Sequence, residues 1–170
     1  MNEYANKIKV VVDTLGKIKI VPVLVLNNLD EGLKMCELLV KCNLKAAEIT
    51  FRTQAAEAVK NSYAFAPGIC TPSEVEQAYE LGCSFLKFFP AEASGGVNML
   101  KSLIAPYKHL GVRFMPTGGV STANVESYLS LPEVVAVGGT WLGKSSDLAA
   151  GNFDAIEKAV TDAVALASKF

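Results

Sequence analysis

The chain has 170 residues, a formal net charge of −1 and hydrophobic residues at 51% of its positions. This composition is typical of a globular protein and excludes a disordered chain, and so small a charge gives no reason to expect nucleic acid or an anionic membrane as a partner. The length predicts a single domain over residues 1–170. The longest apolar run, Ile18–Leu26, is far shorter than the ~20 residues of a membrane span. We therefore expect a soluble, cytoplasmic protein.

Short β-rich runs alternate with amphipathic segments of helical length, after a helix predicted near Glu3–Leu15. The predicted strands are Ile18–Leu26, Ala46–Phe51, Tyr63–Ile69, Phe85–Pro90, Arg113–Pro116 and Val134–Val137. The predicted helices are Asp30–Lys41, Gln54–Asn61, Pro72–Leu81, Val97–Tyr107, Thr122–Ser130 and Phe153–Ser168. Thr71 and Glu74 form a capping-box pattern with proline at the first helical position, and Thr53 and Ser121 are further candidate N-caps. Regular alternation of this kind predicts a parallel sheet covered by helices, either an open doubly wound sheet or a β/α barrel.

Small and polar residues cluster where the predicted strands end, in "FRT", "APGICT", "PAEASGG", "PTGGVS" and "GGT". In both candidate architectures the carboxyl ends of the strands carry the functional site. Neither a Gly-x-Gly-x-x-Gly nor a Walker motif is present, which weakens the nucleotide-binding alternative. The four cysteines form no Cys-x-x-Cys pair and His109 is the only histidine, so we expect neither a metal site nor a disulfide framework.

Two predicted strands carry ionisable side chains on one face. Lys87 shares a face with Phe85 and Phe89, and Glu48 shares a face with Arg52. In a barrel these faces converge inside. Apolar walls and a nearby cation favour the uncharged amine, which can condense with a ketone to an imine. Glu48 is suited to proton transfer and the Arg52 fork to a carboxylate, while a structural Lys–Glu ion pair is the alternative interpretation of the same pattern.

Two adjacent glycine pairs come at the ends of the last two predicted strands, Gly118–Gly119 and Gly138–Gly139. Glycines let backbone amides approach an anion, and the loops after the last two strands of β/α barrels commonly bind phosphate. Tight turns are the alternative explanation for such pairs. Thr140 and Ser121 add candidate hydroxyl donors, whereas Trp141 is expected to pack.

The motifs "AEITFRT", "FAPGICTPSEVEQA", "LKFFPAEASGGV", "VRFMPTGGVS" and "VVAVGGTWL" together resemble the 2-keto-3-deoxy-6-phosphogluconate (KDPG) aldolases, also called 4-hydroxy-2-oxoglutarate aldolases. The resemblance implies a cofactor-free Schiff-base aldehyde-lyase on a TIM-type β/α barrel, acting on phosphorylated ketoacids of the Entner–Doudoroff pathway and assembled as a homo-oligomer, commonly a trimer. It implies that Lys87 forms the imine, that Glu48 transfers protons and that Arg52 binds the substrate carboxylate. The other substrate-binding positions it implies are Pro67, Phe89, Thr117, Gly118, Gly119, Gly138, Gly139 and Thr140.

One departure from the family pattern is large. A complete barrel has eight βα units, and only six strands are predicted here. In the family, two further strands come between the "ITFRT" and "FAPG" motifs, the first with a "GAGT" motif. The sequence therefore predicts an incomplete barrel of six principal parallel strands, with unpaired edges that favour self-association. An aldolase is the favoured function, and a catalytically impaired remnant that keeps phosphate binding or an assembly role is the alternative, followed by a phosphate-binding isomerase or decarboxylase.

Overall fold

The computed structural model describes residues 3–26, 28–49 and 66–170 of the chain. Within these ranges, strands and helices alternate in the predicted order. The strands are β1 (Ile20–Leu24), β2 (Glu48–Ile49), β3 (Gly68–Ile69), β4 (Phe85–Phe88), β5 (Arg113–Pro116) and β6 (Val137–Gly139). The helices are α1 (Glu3–Ile18), α2 (Leu29–Lys41), α3 (Pro72–Glu80), α4 (Gly96–Ile104), α5 (Val125–Leu129), α6 (Ser145–Ala149) and α7 (Phe153–Ala167), with 3-10 helices at Ala105–Leu110 and Thr140–Leu142.

The six strands form one curved, parallel arrangement. β2, β1 and β6 pair in that order, and β3, β4 and β5 pair in that order. Bridges from Phe114 to Val134 and from Thr117 to Gly138 join the two groups, so the spatial order is β2–β1–β6–β5–β4–β3. The last strand lies beside the first, as in a barrel and not in an open doubly wound sheet.

The barrel is incomplete in the part of the chain that the structure describes. Among the six strands of these ranges, β2 and β3 each pair on one side only, and residues 50–65, which join them in sequence, lie outside the described residues. Over its described residues the protein therefore has the predicted TIM-type β/α fold, with six principal parallel strands. The predicted N-cap at Thr53 and the predicted helix Gln54–Asn61 also fall outside the described residues.

Residues of each strand alternate between two apolar layers. Phe88 of β4 faces outward, where it is fully buried against the helices. Phe85 faces inward and packs with Val21 of β1 against Ile8 of α1. α1 thus covers the inner face near the amino end of β4. Lys87, two residues beyond Phe85, lies on the same inner face, as the alternation predicts.

The capping box at the start of α3 is confirmed. The Glu74 N–H donates to Thr71 Oγ1 at 3.4 Å, and the Thr71 N–H donates back to Glu74 Oε2 at 2.9 Å. The Cys70 N–H donates to the same carboxylate oxygen at 2.7 Å. These donors, first of all the Cys70 amide, lower the pKa of Glu74. The short connection from β3 to α3 is therefore fixed by one carboxylate.

The sixth strand differs from its prediction, since it covers Val137–Gly139 rather than Val134–Val137. Glycine has a low strand propensity, and the prediction therefore stopped before the glycine pair. In the structure, Gly138 lies between two strands, and a Cβ added to it would collide with Thr117 Oγ1. Absence of a side chain is what lets β5 and β6 approach here.

Three helical segments also differ from the predictions. α4 ends at Ile104 and continues as a 3-10 helix through Pro106, whose ring nitrogen has no N–H for an α-helical bond. α5 begins at Val125 rather than Thr122, and Ser121 is not its N-cap. The Asn124 Oδ1 accepts a hydrogen bond from the Ser121 N–H at 2.8 Å, so residues 121–124 form a turn instead of a first helical turn. The five-residue α6 was not predicted.

Candidate active site

One lysine and one glutamate meet on the inner face of the barrel. Lys87 is the third residue of β4 and Glu48 is the first residue of β2. Lys87 Nζ donates a hydrogen bond to Glu48 Oε1 and forms an ion pair with that carboxylate. Because β2 and β4 are not neighbours in the sheet, this contact crosses the interior of the barrel.

The pair is largely enclosed, and part of it is unpaired. The side chains of Lys87 and Glu48 are 23% and 21% exposed. The half-exposed ring of Phe89 has its centre 5.2 Å from Lys87 Nζ, close enough for its π face to attract a cation. Glu48 Oε2 is buried and has no hydrogen-bond partner among the described residues. An oxygen in this position is suited to exchange a proton with a ligand that reacts at Lys87.

A threonine hydroxyl completes the polar part of this inner face. Met115 lies opposite Lys87 in the β4–β5 ladder, and Thr117 follows two residues later on the same face. Thr117 is only 4% exposed, and its Oγ1 has no hydrogen-bond partner within the described ranges. Unpaired buried hydroxyls are rare because burial costs them their water contacts. The Thr117 hydroxyl is therefore available to a ligand.

The two glycine motifs lie side by side at the carboxyl ends of β5 and β6. Gly118 and Gly119 follow β5 after Thr117, with φ of +96° and +82°, a region that favours glycine. Gly138 and Gly139 are the last two residues of β6 rather than a loop beyond it, and both are buried. The exposed Thr140 begins the following 3-10 helix. The first glycine pair thus lies in the loop beyond β5, whereas the second pair is held in the sheet.

The remaining candidate residues are Pro67, Trp141 and Arg52. The Pro67 carbonyl accepts a hydrogen bond from the Lys87 N–H at 2.9 Å, so Pro67 lies beside the lysine on the edge of the sheet. The Trp141 ring covers Gly139 and packs against the core, as expected, although its Nε1 is buried without a partner in the described part of the chain. Arg52 lies outside the described residues.

Sequence reasoning missed a second cluster beside the first glycine pair. Glu92 of the "PAEASGG" motif accepts a hydrogen bond of 2.5 Å from Tyr128, which comes from α5. Asn124 Nδ2 donates to the Gly119 carbonyl at 3.2 Å. The only sequence signal for Glu92 is its place in a polar motif directly after a strand, and nothing in the pattern of α5 marks Tyr128 as its partner.

Neither a metal cluster nor a membrane-spanning helix is present in the described ranges. No three His, Cys, Asp or Glu side chains there come together in a way that could hold a metal ion. No helix there combines the length and the apolar character needed to cross a bilayer. The cysteines are free thiols, and Cys70 Sγ donates a hydrogen bond to Ser94 Oγ at 2.9 Å.

Comparison with known proteins identifies the class. The family model "KDPG and KHG aldolase" matches residues 55–159. The 2-dehydro-3-deoxy-phosphogluconate aldolase of Haemophilus influenzae is 32% identical over 203 residues, which covers 91% of this chain and 95% of the relative. The KHG/KDPG aldolase of Escherichia coli is 32% identical over 194 residues, covering 85% of this chain and 90% of the relative. The crystal structure of 2-keto-3-deoxy-6-phospho-gluconate aldolase from Zymomonas mobilis superposes with a TM-score of 0.77 at 27% identity and covers 91% of this chain and 96% of its own.

The fold and the matched relatives define an aldehyde-lyase on a β/α barrel. Specifically, the chain belongs to the KDPG and KHG aldolase family. It is shorter than its relatives inside the aligned region: the aligned 91% of this chain is about 155 residues, so about 48 of the 203 aligned positions have no counterpart in it. This agrees with the shortened barrel.

Proposed function

We propose that the protein is a class I aldolase that reversibly cleaves a 2-keto-4-hydroxy acid to pyruvate and an aldehyde. The proposed substrate is 2-keto-3-deoxy-6-phosphogluconate, with glyceraldehyde 3-phosphate as the aldehyde. The observation that supports this best is the contact of Lys87 Nζ with Glu48 Oε1 across the barrel interior, beside a carboxylate oxygen that has no partner among the described residues. The names of the matched relatives support the substrate class.

The first half of the proposed reaction forms an imine. The uncharged Lys87 amine attacks C2 of the ketoacid, and the C2 oxygen gains a proton to give a carbinolamine. Glu48 delivers the proton that lets the hydroxyl leave as water, and the C2–N bond becomes a protonated imine. Because Lys87 Nζ contacts Glu48 directly, the Glu48 carboxylate can accept the lysine proton before the amine attacks.

The second half breaks the carbon–carbon bond. Glu48, directly or through a water molecule, takes the proton of the C4 hydroxyl. The C3–C4 electron pair moves into the imine, so the aldehyde leaves and an enamine of pyruvate remains on Lys87. Protonation at C3 and hydrolysis of the C2–N bond release pyruvate and the free amine. The protonated imine is the electron sink, so the mechanism requires no metal or organic cofactor.

The two ends of the substrate are assigned to different edges of the site. Arg52 is proposed to bind the ketoacid carboxylate in a bidentate manner, and Pro67 and Phe89 are proposed to line the pocket beside Lys87. The phosphate is assigned to the adjacent edges of β5 and β6, where the residues are Thr117, Gly118, Gly119, Gly138, Gly139 and Thr140. The positive φ values at Gly118 and Gly119 support the assignment of the phosphate to their amides.

We also propose that the chain assembles as a homo-oligomer, by family resemblance a trimer, and that it acts on metabolites of the cytoplasm. β2 and β3 each have one unpaired edge within the described ranges, and strand edges favour pairing with another chain. Exposed apolar side chains such as Leu33 and Val40 on α2 add surface that water does not favour.

Reductive trapping tests the proposed function. Incubation with pyruvate and borohydride should reduce the imine to a stable secondary amine, and peptide mapping should place the added mass on Lys87. Lys158→Met is the matched control, because Lys158 is an exposed lysine that pairs with Asp162 on α7, and this variant should still be trapped at Lys87. A folded protein that stays unmodified at pyruvate concentrations in the roughly millimolar range of weak ligands would instead support the catalytically impaired remnant.

A further inference from the structure

A buried tyrosine is joined to a glutamate next to the first glycine pair. Tyr128 Oη donates a hydrogen bond of 2.5 Å to Glu92 Oε1, and the Tyr128 side chain is fully buried. Burial, and after it the hydrogen bond to the Glu92 carboxylate, raises the pKa of Tyr128. The phenol therefore keeps its proton at neutral pH and remains a donor there.

Glu92 contacts the glycine pair with its backbone and with the apolar part of its side chain. The Glu92 N–H donates to the Gly118 carbonyl at 3.0 Å. A Cβ built on Gly119 would lie 2.6 Å from Glu92 Cβ and 2.7 Å from Glu92 Cγ, so the methylene stem occupies that space. The Glu92 carboxylate lies beyond this stem, next to α4. Its Oε1 would be 3.2 Å from a Cβ built on Gly96, the first residue of that helix.

Other groups hold the same glycine pair from the other side. Asn124 Nδ2 donates to the Gly119 carbonyl at 3.2 Å, and Asn124 Oδ1 accepts from the Ser121 N–H at 2.8 Å. Both glycine carbonyls therefore accept a hydrogen bond. Neither the Gly118 nor the Gly119 N–H donates a hydrogen bond to a residue that the structure describes. The carbonyls are fixed while the N–H groups stay available to an anion.

We propose that Glu92 and Tyr128 are positioning residues that hold the Gly118–Gly119 amides in the geometry that binds the substrate phosphate. The inference rests on the phosphate site of the proposed function. The Tyr128 hydroxyl has two effects in this arrangement. It fixes the glutamate that packs on the glycine pair, and it holds a negative carboxylate towards α4 instead of towards the phosphate.

Tyr128→Phe removes the hydroxyl and keeps the buried ring. Its matched control is Tyr107→Phe, because Tyr107 is also buried and its hydroxyl donates to Glu76 Oε1 at 2.9 Å, on α3. The probe is inorganic phosphate, titrated into each protein while the amide signals of Gly118 and Gly119 are followed by NMR. We expect the dissociation constant to rise about tenfold in Tyr128→Phe, the scale of one lost hydrogen bond to a charged group, and to stay unchanged in Tyr107→Phe.

Kinetics separate positioning from a general loss of structure. In Tyr128→Phe, KM for the phosphorylated substrate should rise about tenfold, while kcat and KM for unphosphorylated 4-hydroxy-2-oxoglutarate stay near the wild-type values. Adding Glu92→Gln to Tyr128→Phe should recover part of the phosphate affinity. The Glu92 carboxylate, which Tyr128→Phe leaves without its hydrogen bond, is then replaced by an uncharged amide. Should Tyr128→Phe fail to fold, Glu92→Ala tests the same contact from the exposed side and should show the same selective loss.

Each failure has its own signature. If phosphate leaves the Gly118 and Gly119 signals of the wild-type protein unmoved, the proposed phosphate site is wrong and this inference falls with it. If the wild type binds phosphate and Tyr128→Phe binds it equally well, the positioning role alone is wrong. A variant that loses stability and both substrates to the same extent would show that Tyr128 is only structural.

Discussion

Replacing Lys87 by methionine removes the ammonium group from the barrel interior and keeps an unbranched side chain of similar length. In the structure, that ammonium is the hydrogen-bond partner of Glu48 Oε1, and Glu48 Oε2 already lacks a partner within the described ranges. The variant therefore leaves a mostly enclosed carboxylate without its counterion. We expect the fold to persist at reduced stability.

The size of the effect follows from the exposure of the two side chains. Exposed ion pairs contribute about 0–1 kcal/mol, and breaking a fully buried pair costs about 3–5 kcal/mol. At 23% and 21% exposure, the Lys87–Glu48 pair lies between these limits and is partly screened by water. We expect Lys87→Met to lower the free energy of unfolding by about 1–2 kcal/mol. Glu48→Gln added to it should return much of that loss, since the unpaired charge is then gone.

The assay is a double-mutant cycle in urea combined with reductive trapping of pyruvate. Lys87→Met should form no adduct, with or without the second substitution. Glu48→Gln alone keeps the lysine but removes the proposed proton donor, so kcat should fall by about 10²–10⁴ while slow trapping at Lys87 persists. Glu133→Gln is the control, because Glu133 pairs with Lys108 at 3.0 Å, away from Lys87.

Two results would refute this reasoning. A cycle in which the two substitutions add without coupling would show that the contact contributes nothing to stability. Aldol cleavage at the wild-type rate in Lys87→Met would show that the imine forms elsewhere or not at all.

Three further outcomes are expected. Thr140→Val removes one hydroxyl from the proposed phosphate edge, so the KM of a phosphorylated substrate should rise by the equivalent of about 1 kcal/mol. The KM of an unphosphorylated substrate should be unchanged. Equal effects on both substrates would contradict the assignment of Thr140 to the phosphate. Gly119→Ala places a Cβ against Glu92 at a φ of +82°, and urea unfolding should show a loss of about 1–2 kcal/mol. The pKa of Glu74 is lowered in the folded state from its usual 4.5, so its charge stabilises the protein above that pH and this stabilisation is lost as the pH falls. The difference in unfolding free energy between wild type and Glu74→Gln should therefore shrink below about pH 4.5. A difference that stays constant with pH would contradict this.

Local patterns in the sequence were enough to predict the inner face of β4. The period of two along a strand is independent of the rest of the fold, so Phe85 and Lys87 had to share a face once the strand was recognised. The capping box at Thr71 was equally local, because its two hydrogen bonds join residues three positions apart. The same alternation placed Glu48 and Lys87 on faces that converge inside a barrel, and the resemblance of the surrounding motifs favoured the barrel over the open sheet.

The features that sequence reasoning missed depend on contacts between distant segments. A side chain has no room at Gly138 because of Thr117 in the neighbouring segment, nor at Gly139 because of the Trp141 ring, and no local propensity reports either contact. The hydrogen bond between Glu92 and Tyr128 joins residues 36 positions apart. Its two side chains are ordinary members of a loop and a helix until the fold brings them together.

The strand order β2–β1–β6–β5–β4 explains how a shortened chain can keep its proposed catalytic pair in contact. Glu48 and Lys87 lie on either side of the stretch in which this chain is shorter than the family pattern. Their separation is set by four consecutive strand pairings that run the other way round the barrel. Their distance therefore depends on how these strands pair round the barrel and not on the number of residues between them in the sequence. A loss of residues between Glu48 and Lys87 can therefore change access to the site and the room for substrate while the two side chains stay in contact.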